Sequence, residues 1–312
     1  MARVLAVDVG GTSFKAALVE SDGAMQVWES EPTGGALGEA AYLRLASYIG
    51  RILGEIVGEA PSALGLIAPG MDERNGQVIF AANLGWRDFP LGARLRAAFG
   101  LAVAAGHDVR TAGLAESLLG AARGEQDAAM IMIGTGIAAA FLCNGQAVSG
   151  ARQMACEIGH APVYPEGEAC ACGQFGCLET YASAAAIARR YRAAGGTEAL
   201  SAAEISRRLG ADPVAARVWG EAVEALSIAC ATVTLMLDPA VIVIGGGLAE
   251  AEEVLLSPLG AALARRLAWR SPPPLKRTSL GARGALLGAA ILAFRSQGLG
   301  IAEMVAAAGP IA

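Results

Sequence analysis

Residues 168–179 read EACACGQFGCLE and place Cys170, Cys172 and Cys177 within eight positions, with His160, one of only two histidines, ten residues before the first of them. Three thiolates and an imidazole form the donor set of a closed tetrahedral zinc site. With all four positions supplied by protein, such an ion is structural, and one is expected per chain. Gly173 and Gly176 lie between the ligands, and Glu166 and Glu168 stand beside them, so the segment reads as a loop rather than a core element. Cys143, Cys156 and Cys230 lack such neighbours and read as buried apolar residues.

A second chemistry is spelled by glycine turns and carboxylates. Gly10-Gly11-Thr12, Gly134-Thr135-Gly136 and Gly245-Gly246-Gly247 each follow an apolar run. Glycine there lets the backbone approach phosphate oxygens and aim its N–H groups at them. Neither GxxxxGK[ST] nor a completed GxGxxG is present. Asp8 precedes the first turn, where its carboxylate can meet a magnesium-bound triphosphate directly or through water, or bond its own turn. Thr12 and Thr135 can donate to phosphate or cap their turns. Asp108 sits where a strand meets a helix. It can be an ordinary N-cap, or a general base for a hydroxyl attacking a phosphoryl group. His107 beside it favours the second.

These groups need strands that end in turns. RVLAVDV and FKAALVE form a hairpin about the first glycine turn, and MIMIGTGIAAAFLCNG repeats that logic, so the chain looks internally duplicated. Residues 39–58 carry apolar side chains at helical spacing, ALGLIAPG reads as a buried strand and LGARLRAAFG as a helix. LAVAAGHDV is a strand and RTAGLAESLLGAA a helix, a long helix runs from about Val214 to Leu237, and AVIVIGGG is a buried strand. Alternating strands and helices give an α/β fold. The polar break RGEQD at 123–127 divides a smaller domain, 1–122, from a larger one, 123–289, that carries the cysteine loop. A C-terminal helix, about 290–312, is a candidate to complete the first.

Composition bounds the rest. Hydrophobic residues make up 54 % and charged ones 17 %, which fits buried elements and excludes a charged disordered chain. The net charge of −5 carries no basic block, so no nucleic-acid footprint is present. The longest uncharged apolar run, Ala225–Leu237, is thirteen residues, short of the roughly 20 needed to cross a bilayer, and no membrane association is expected. A strand pattern begins at once, without signal-peptide character, so the expected location is cytoplasmic, with reduced thiols.

The segments DVGGTSFKAALV, APGMDERNGQVIFAANLGW, GHDVRTAGLAE, GTGIAAAFLCNG, GARQMACEIGH, CACGQFGCLE and VIVIGGG resemble, in order and spacing, the ROK family of sugar kinases and repressors. Among its members the glucokinases are most similar. The resemblance implies the duplicated actin/hexokinase-like (ribonuclease H-like) fold with a cleft between its domains, a hexose there and ATP with Mg2+ on the glycine turns. Asp108 falls on the family's catalytic aspartate, and Asn83, His107, Glu157, His160 and Glu179 fall on sugar-contacting positions. Asp8, Gly10, Gly11, Thr12 and Lys15 match the first phosphate motif, Gly134, Thr135 and Gly136 the second, and Gly245, Gly246 and Gly247 the adenosine side. His160 also ligates zinc in the family, so the metal would steady the sugar-reading loop. Two residues depart: His107 stands where most members have asparagine, and Ala138-Ala139-Ala140 where many keep glycines, the latter read as strand packing. Glucose is the first-choice substrate, and N-acetylmannosamine or N-acetylglucosamine the alternative. A sugar-responsive regulator is the reading of another class, set aside because only Met1 and Ala2 precede the first strand. The family also favours a homodimer or higher homo-oligomer.

Overall fold

The computed structural model describes residues 2–196 and 199–308. They divide into two compact units, 2–123 with 149–155 and 282–308, and 124–148 with 156–196 and 199–281.

The first unit is built on β1 (Arg3–Val9), β2 (Ser13–Glu20), β3 (Met25–Val27), β4 (Glu31–Pro32), α1 (Glu39–Glu55) and β5 (Ala63–Ala68). β6 (Met71–Asp72), β7 (Gln77–Ala81), β8 (Trp86–Phe89), α2 (Leu91–Phe99), β9 (Ala102–His107) and α3 (Asp108–Leu119) follow. Its main sheet runs β3-β2-β1-β5-β9 with β4 on β2, and β6-β7-β8 form a small second sheet. β1 and β2 make the expected hairpin, while β5 and β9 lie parallel to β1. Alternation sorts the side chains: Leu5, Val7 and Val9 of β1 join Tyr42, Leu45, Ile49 and Ile52 of α1 in one core, as period-2 and period-3.6 patterns require.

The second unit holds β10 (Ala128–Ile133), β11 (Ile137–Cys143), β12 (Gln146–Ala147), α4 (Glu179–Ala182), α5 (Ala184–Ala193), α6 (Ala202–Ser206), α7 (Pro213–Leu237), β13 (Val241–Gly245), α8 (Glu253–Arg266) and β14 (Leu275–Arg277). Its sheet order is β12-β11-β10-β13-β14. A hairpin, β10/β11, is again extended by two parallel strands, so the duplication read from the sequence is present in the topology. Ala139 and Ala140 are buried in β11 opposite Ile131 and Met130, which makes the alanine run strand packing. α7 is longer than the thirteen-residue run on which the sequence reading relied. By length and composition it could cross a membrane, yet 56 % of its most apolar window is buried, and it packs against α8, α5 and α4.

Two helices close the chain, α9 (Arg283–Ser296) and α10 (Ala302–Ala307). α9 packs on β1, β5 and α3 of the first unit. The changeover therefore falls near 281 rather than 289, and 149–155 also return to the first unit, which is not the smaller of the two. The cause is close packing by small residues. A β-carbon on Gly65 of β5 would lie 2.0 Å from the Ala289 carbonyl oxygen, and one on Gly288 2.3 Å from that of Thr111. Residues 309–312 of the expected terminal helix lie outside the described residues.

Candidate active site

In the first unit the chemistry gathers at the carboxyl edge of the parallel strands. Asp8 is in register with Ile67, and Ile67 with Gly106, so Asp8 and the β9–α3 joint lie at one level, two strands or about 10 Å apart. After Val9 the chain turns back through Gly10, whose N–H donates to the Ser13 carbonyl at 3.0 Å. Asn83, exposed in the 3-10 turn Ala82–Leu84, packs on this turn, since a β-carbon on Gly11 would stand 2.8 Å from that of Asn83. Thr12 is exposed at the tip.

Electrostatics marks Asp8. Burial pushes its carboxyl up to about 6, the Asp108 carboxylate adds to that shift, and Lys15 opposes it. Lys15 is the cross-strand partner of Asp8, but its ammonium is half exposed and 3.8 Å away, too loose to hold the carboxylate ionised by itself.

Asp108 is the first residue of α3, not its N-cap. That position belongs to His107, whose side chain makes no capping bond. The Asp108 carboxylate accepts from the Val109 N–H at 2.8 Å, lies 3.0 Å from His107 Nδ1 and is 29 % exposed. It thus satisfies an N–H of the first helical turn and still stands accessible to a solute.

In the second unit, the turn after β10 is closed by the Gly134 N–H on the Gly136 carbonyl at 2.9 Å, with Thr135 exposed. β13 ends beside it. Gly246 has φ +80°, and a β-carbon there would be 2.4 Å from the Ile133 carbonyl oxygen, so both conformation and space demand glycine. Gly247, next to Gly245 and Gly246, lines a cavity of about 490 Å3 with Leu248, Arg207 and Trp219, within the range of small-ligand sites. Glu179 opens α4 with its Oε2 on the Ile137 N–H at 2.9 Å, against Gly136. One oxygen of this expected sugar contact thus braces the glycine turn. Glu157 is exposed, just before the 3-10 turn Ile158–His160.

The donor atoms of His160, Cys170, Cys172 and Cys177 all lie within 4.8 Å of one another. Cys172 Sγ is 3.7 Å from Cys177 Sγ, and Cys170 Sγ is 3.8 Å from His160 Nδ1. Zinc–sulfur bonds of about 2.3 Å at tetrahedral angles place ligand atoms roughly 3.7 Å apart, so the set fits a metal ion. Burial and the neighbouring thiols push Cys177 up to about 12, while a backbone N–H of Gln174 lowers Cys172. A cation is what lets these thiols lose their protons together. The loop is pinned by Gly176, where a β-carbon would fall 1.5 Å from the Tyr164 carbonyl oxygen. Of the other cysteines only Cys230 is buried. Cys143 and Cys156 are half-exposed, because the first ends an edge-side strand and the second sits in a turn at φ +73° with its Sγ on the Val148 carbonyl.

The sequence reading missed Glu73 and Arg110. Arg110 is 2 % exposed, and its Nε donates to Glu73 Oε1 at 2.8 Å. The available signal was a positive charge two residues after Asp108, in a helix segment, VRTAGLA, that is otherwise small or apolar.

Three comparisons bear on this arrangement. The family model described as "ROK family" matches residues 4–296. A glucokinase of Halalkalibacterium halodurans is 36 % identical over 279 residues, 81 % of this chain and 82 % of its own. The ROK hexokinase of Thermus thermophilus superposes with a TM-score of 0.82 at 34 % identity, covering 95 % of this chain and 99 % of that one. A ROK glucokinase of Streptomyces griseus, solved with glucose and AMPPNP, gives 0.80 at 27 %, over 94 % and 99 %.

Proposed function

The chain belongs to the ROK family, and from that premise we propose that it is a glucokinase, an ATP-dependent sugar kinase that transfers the γ-phosphoryl group to the 6-hydroxyl of a hexose, with glucose the preferred one. The observation that carries this reading is the shared edge of the first unit, where the accessible Asp108 carboxylate at the start of α3 lies level with Asp8 and the Gly10–Thr12 turn. As the sugar oxygen attacks phosphorus, its proton passes to Asp108, the bond from the γ-phosphorus to the bridging oxygen breaks, and ADP leaves. Asp8 faces the magnesium of the nucleotide, and Lys15 and the glycine turns Gly10–Thr12 and Gly134–Gly136 take its phosphates. Gly245–Gly247 and the adjoining cavity take the adenosine end. Asn83, His107, Glu157, Glu179 and His160 hold the sugar hydroxyls.

The structural metal in this reading is one zinc ion on His160, Cys170, Cys172 and Cys177, and its chemistry is to fix the loop that carries His160. His160 turns Nδ1 toward the thiols, which leaves the other ring nitrogen for a hydroxyl. The protein acts in the cytoplasm as a homodimer or higher homo-oligomer, and sedimentation analysis measures which.

ADP release across glucose, mannose and the N-acetylhexosamines tests the reading, with Asp108→Asn as control. Glucose is expected to give the highest kcat/KM, and the variant to bind sugar yet turn over at least ~100-fold more slowly, the lower range for loss of a general base. Near-normal turnover of the variant removes Asp108 from the mechanism, and no turnover with any hexose removes the reading.

A further inference from the structure

We propose that Glu73 and Arg110 are positioning residues for the Asp108 carboxylate, a role that rests on the hexose kinase reading above. The pair grips the strand–helix joint on both sides of Asp108. Glu73 Oε1 accepts from the His107 backbone N–H at 3.3 Å and from Arg110 Nε at 2.8 Å. One carboxylate oxygen therefore ties the residue before the base to the residue two after it. The Asp108 carboxylate itself is held within this joint, accepting from the Val109 N–H at 2.8 Å and lying 3.0 Å from His107 Nδ1, so the placement of the joint sets the placement of the carboxylate.

The guanidinium extends the grip to a third segment. Arg110 Nη1 donates to the Gln153 carbonyl at 3.2 Å, and Nη2 points to that of Met71 at 3.5 Å. Gln153 is buried at φ +60°, an uncommon backbone state for a residue with a side chain, in the stretch 149–155 that leads directly into Cys156 and Glu157. The neighbouring Asp72 carboxylate is hydrogen-bonded by the Arg74 side chain at 2.7 and 2.9 Å and feels Arg110 through its charge, whereas Glu73 is the carboxylate that Arg110 hydrogen-bonds. A planar fork with donors in fixed directions reaches Glu73 and a carbonyl at once, which a lysine ammonium cannot do from the same position.

A misplacement of about 1 Å at a reacting group costs on the order of 100-fold in rate. Glu73→Ala and Arg110→Lys are accordingly expected to lower kcat with glucose by roughly 10- to 100-fold, with the KM for ATP within about twofold of wild type. Glu73→Gln keeps an oxygen acceptor in place and is expected to restore kcat to within about threefold. A purely structural pair would lower the thermal midpoint of all three variants and leave kcat of the folded fraction alone. If Glu73→Ala does not fold, Arg110→Lys and Glu73→Gln carry the same comparison. An active wild type with kcat unchanged in Arg110→Lys overturns the positioning role alone. A wild type that phosphorylates no hexose overturns the functional reading and this role with it.

Discussion

Replacing Asp8 by asparagine is expected to make the ligand-free protein more stable while it disables the enzyme. Burial holds the Asp8 carboxyl at about 6, against an ordinary value of 3.8. A raised carboxyl costs nothing where both folded and unfolded chains keep it protonated, below pH 3.8. Stability is lost as the pH climbs from there through 6, because the unfolded chain ionises first. About two pH units at about 1.4 kcal/mol each give a loss of roughly 3 kcal/mol at pH 7.5. About half of that has already been lost at pH 5. Asparagine carries no charge at either pH. The exposed Lys15 that it leaves unpaired accounts for less than about 1 kcal/mol. Urea denaturation without nucleotide or magnesium should therefore show Asp8→Asn ahead of wild type by ~2–3 kcal/mol at pH 7.5 and by about half as much at pH 5. Magnesium nucleotide should stabilise wild type far more than the variant, reversing the order. A variant no more stable than wild type at pH 7.5, or a gain equal at both pH values, refutes the argument that a buried charge is held ready for a cation.

Elemental analysis should find about one zinc per chain, and Cys177→Ser should lower that stoichiometry and the thermal midpoint together. Full metal loading in the variant would take Cys177 out of the donor set. Gly176→Ala, which drives a methyl group into the Tyr164 carbonyl at a positive φ, should destabilise the loop by more than ~2 kcal/mol and weaken zinc retention. An unchanged melting curve would show that the turn relaxes.

What the sequence disclosed was local or repeated. A hairpin around glycine is written in adjacent residues, and its second copy doubles the signal, so the main sheet of each unit could be anticipated from RVLAVDVGG and MIMIGTG. Cysteine spacing announced the gathering of three thiols with His160 because so few other arrangements explain three thiols in eight positions. What the sequence left unread was of long range. That Glu73 meets Arg110, 37 positions on, depends on β6 and β9 being neighbours, a tertiary fact with no local signature. The return of α9 to the first sheet depends on Gly65 and Gly288, which in sequence are two unremarked glycines among 41.

The seating of α9 against β1 and β5 sets an order of events on the ribosome. The unit that contains the start of the chain lacks one layer until residue 296 has emerged, whereas the other has every strand and helix once residue 281 is out. The half synthesised first is thus the last able to complete its interior. Until then the outer face of its central strands, Gly65 included, waits uncovered for a partner made about two hundred residues later.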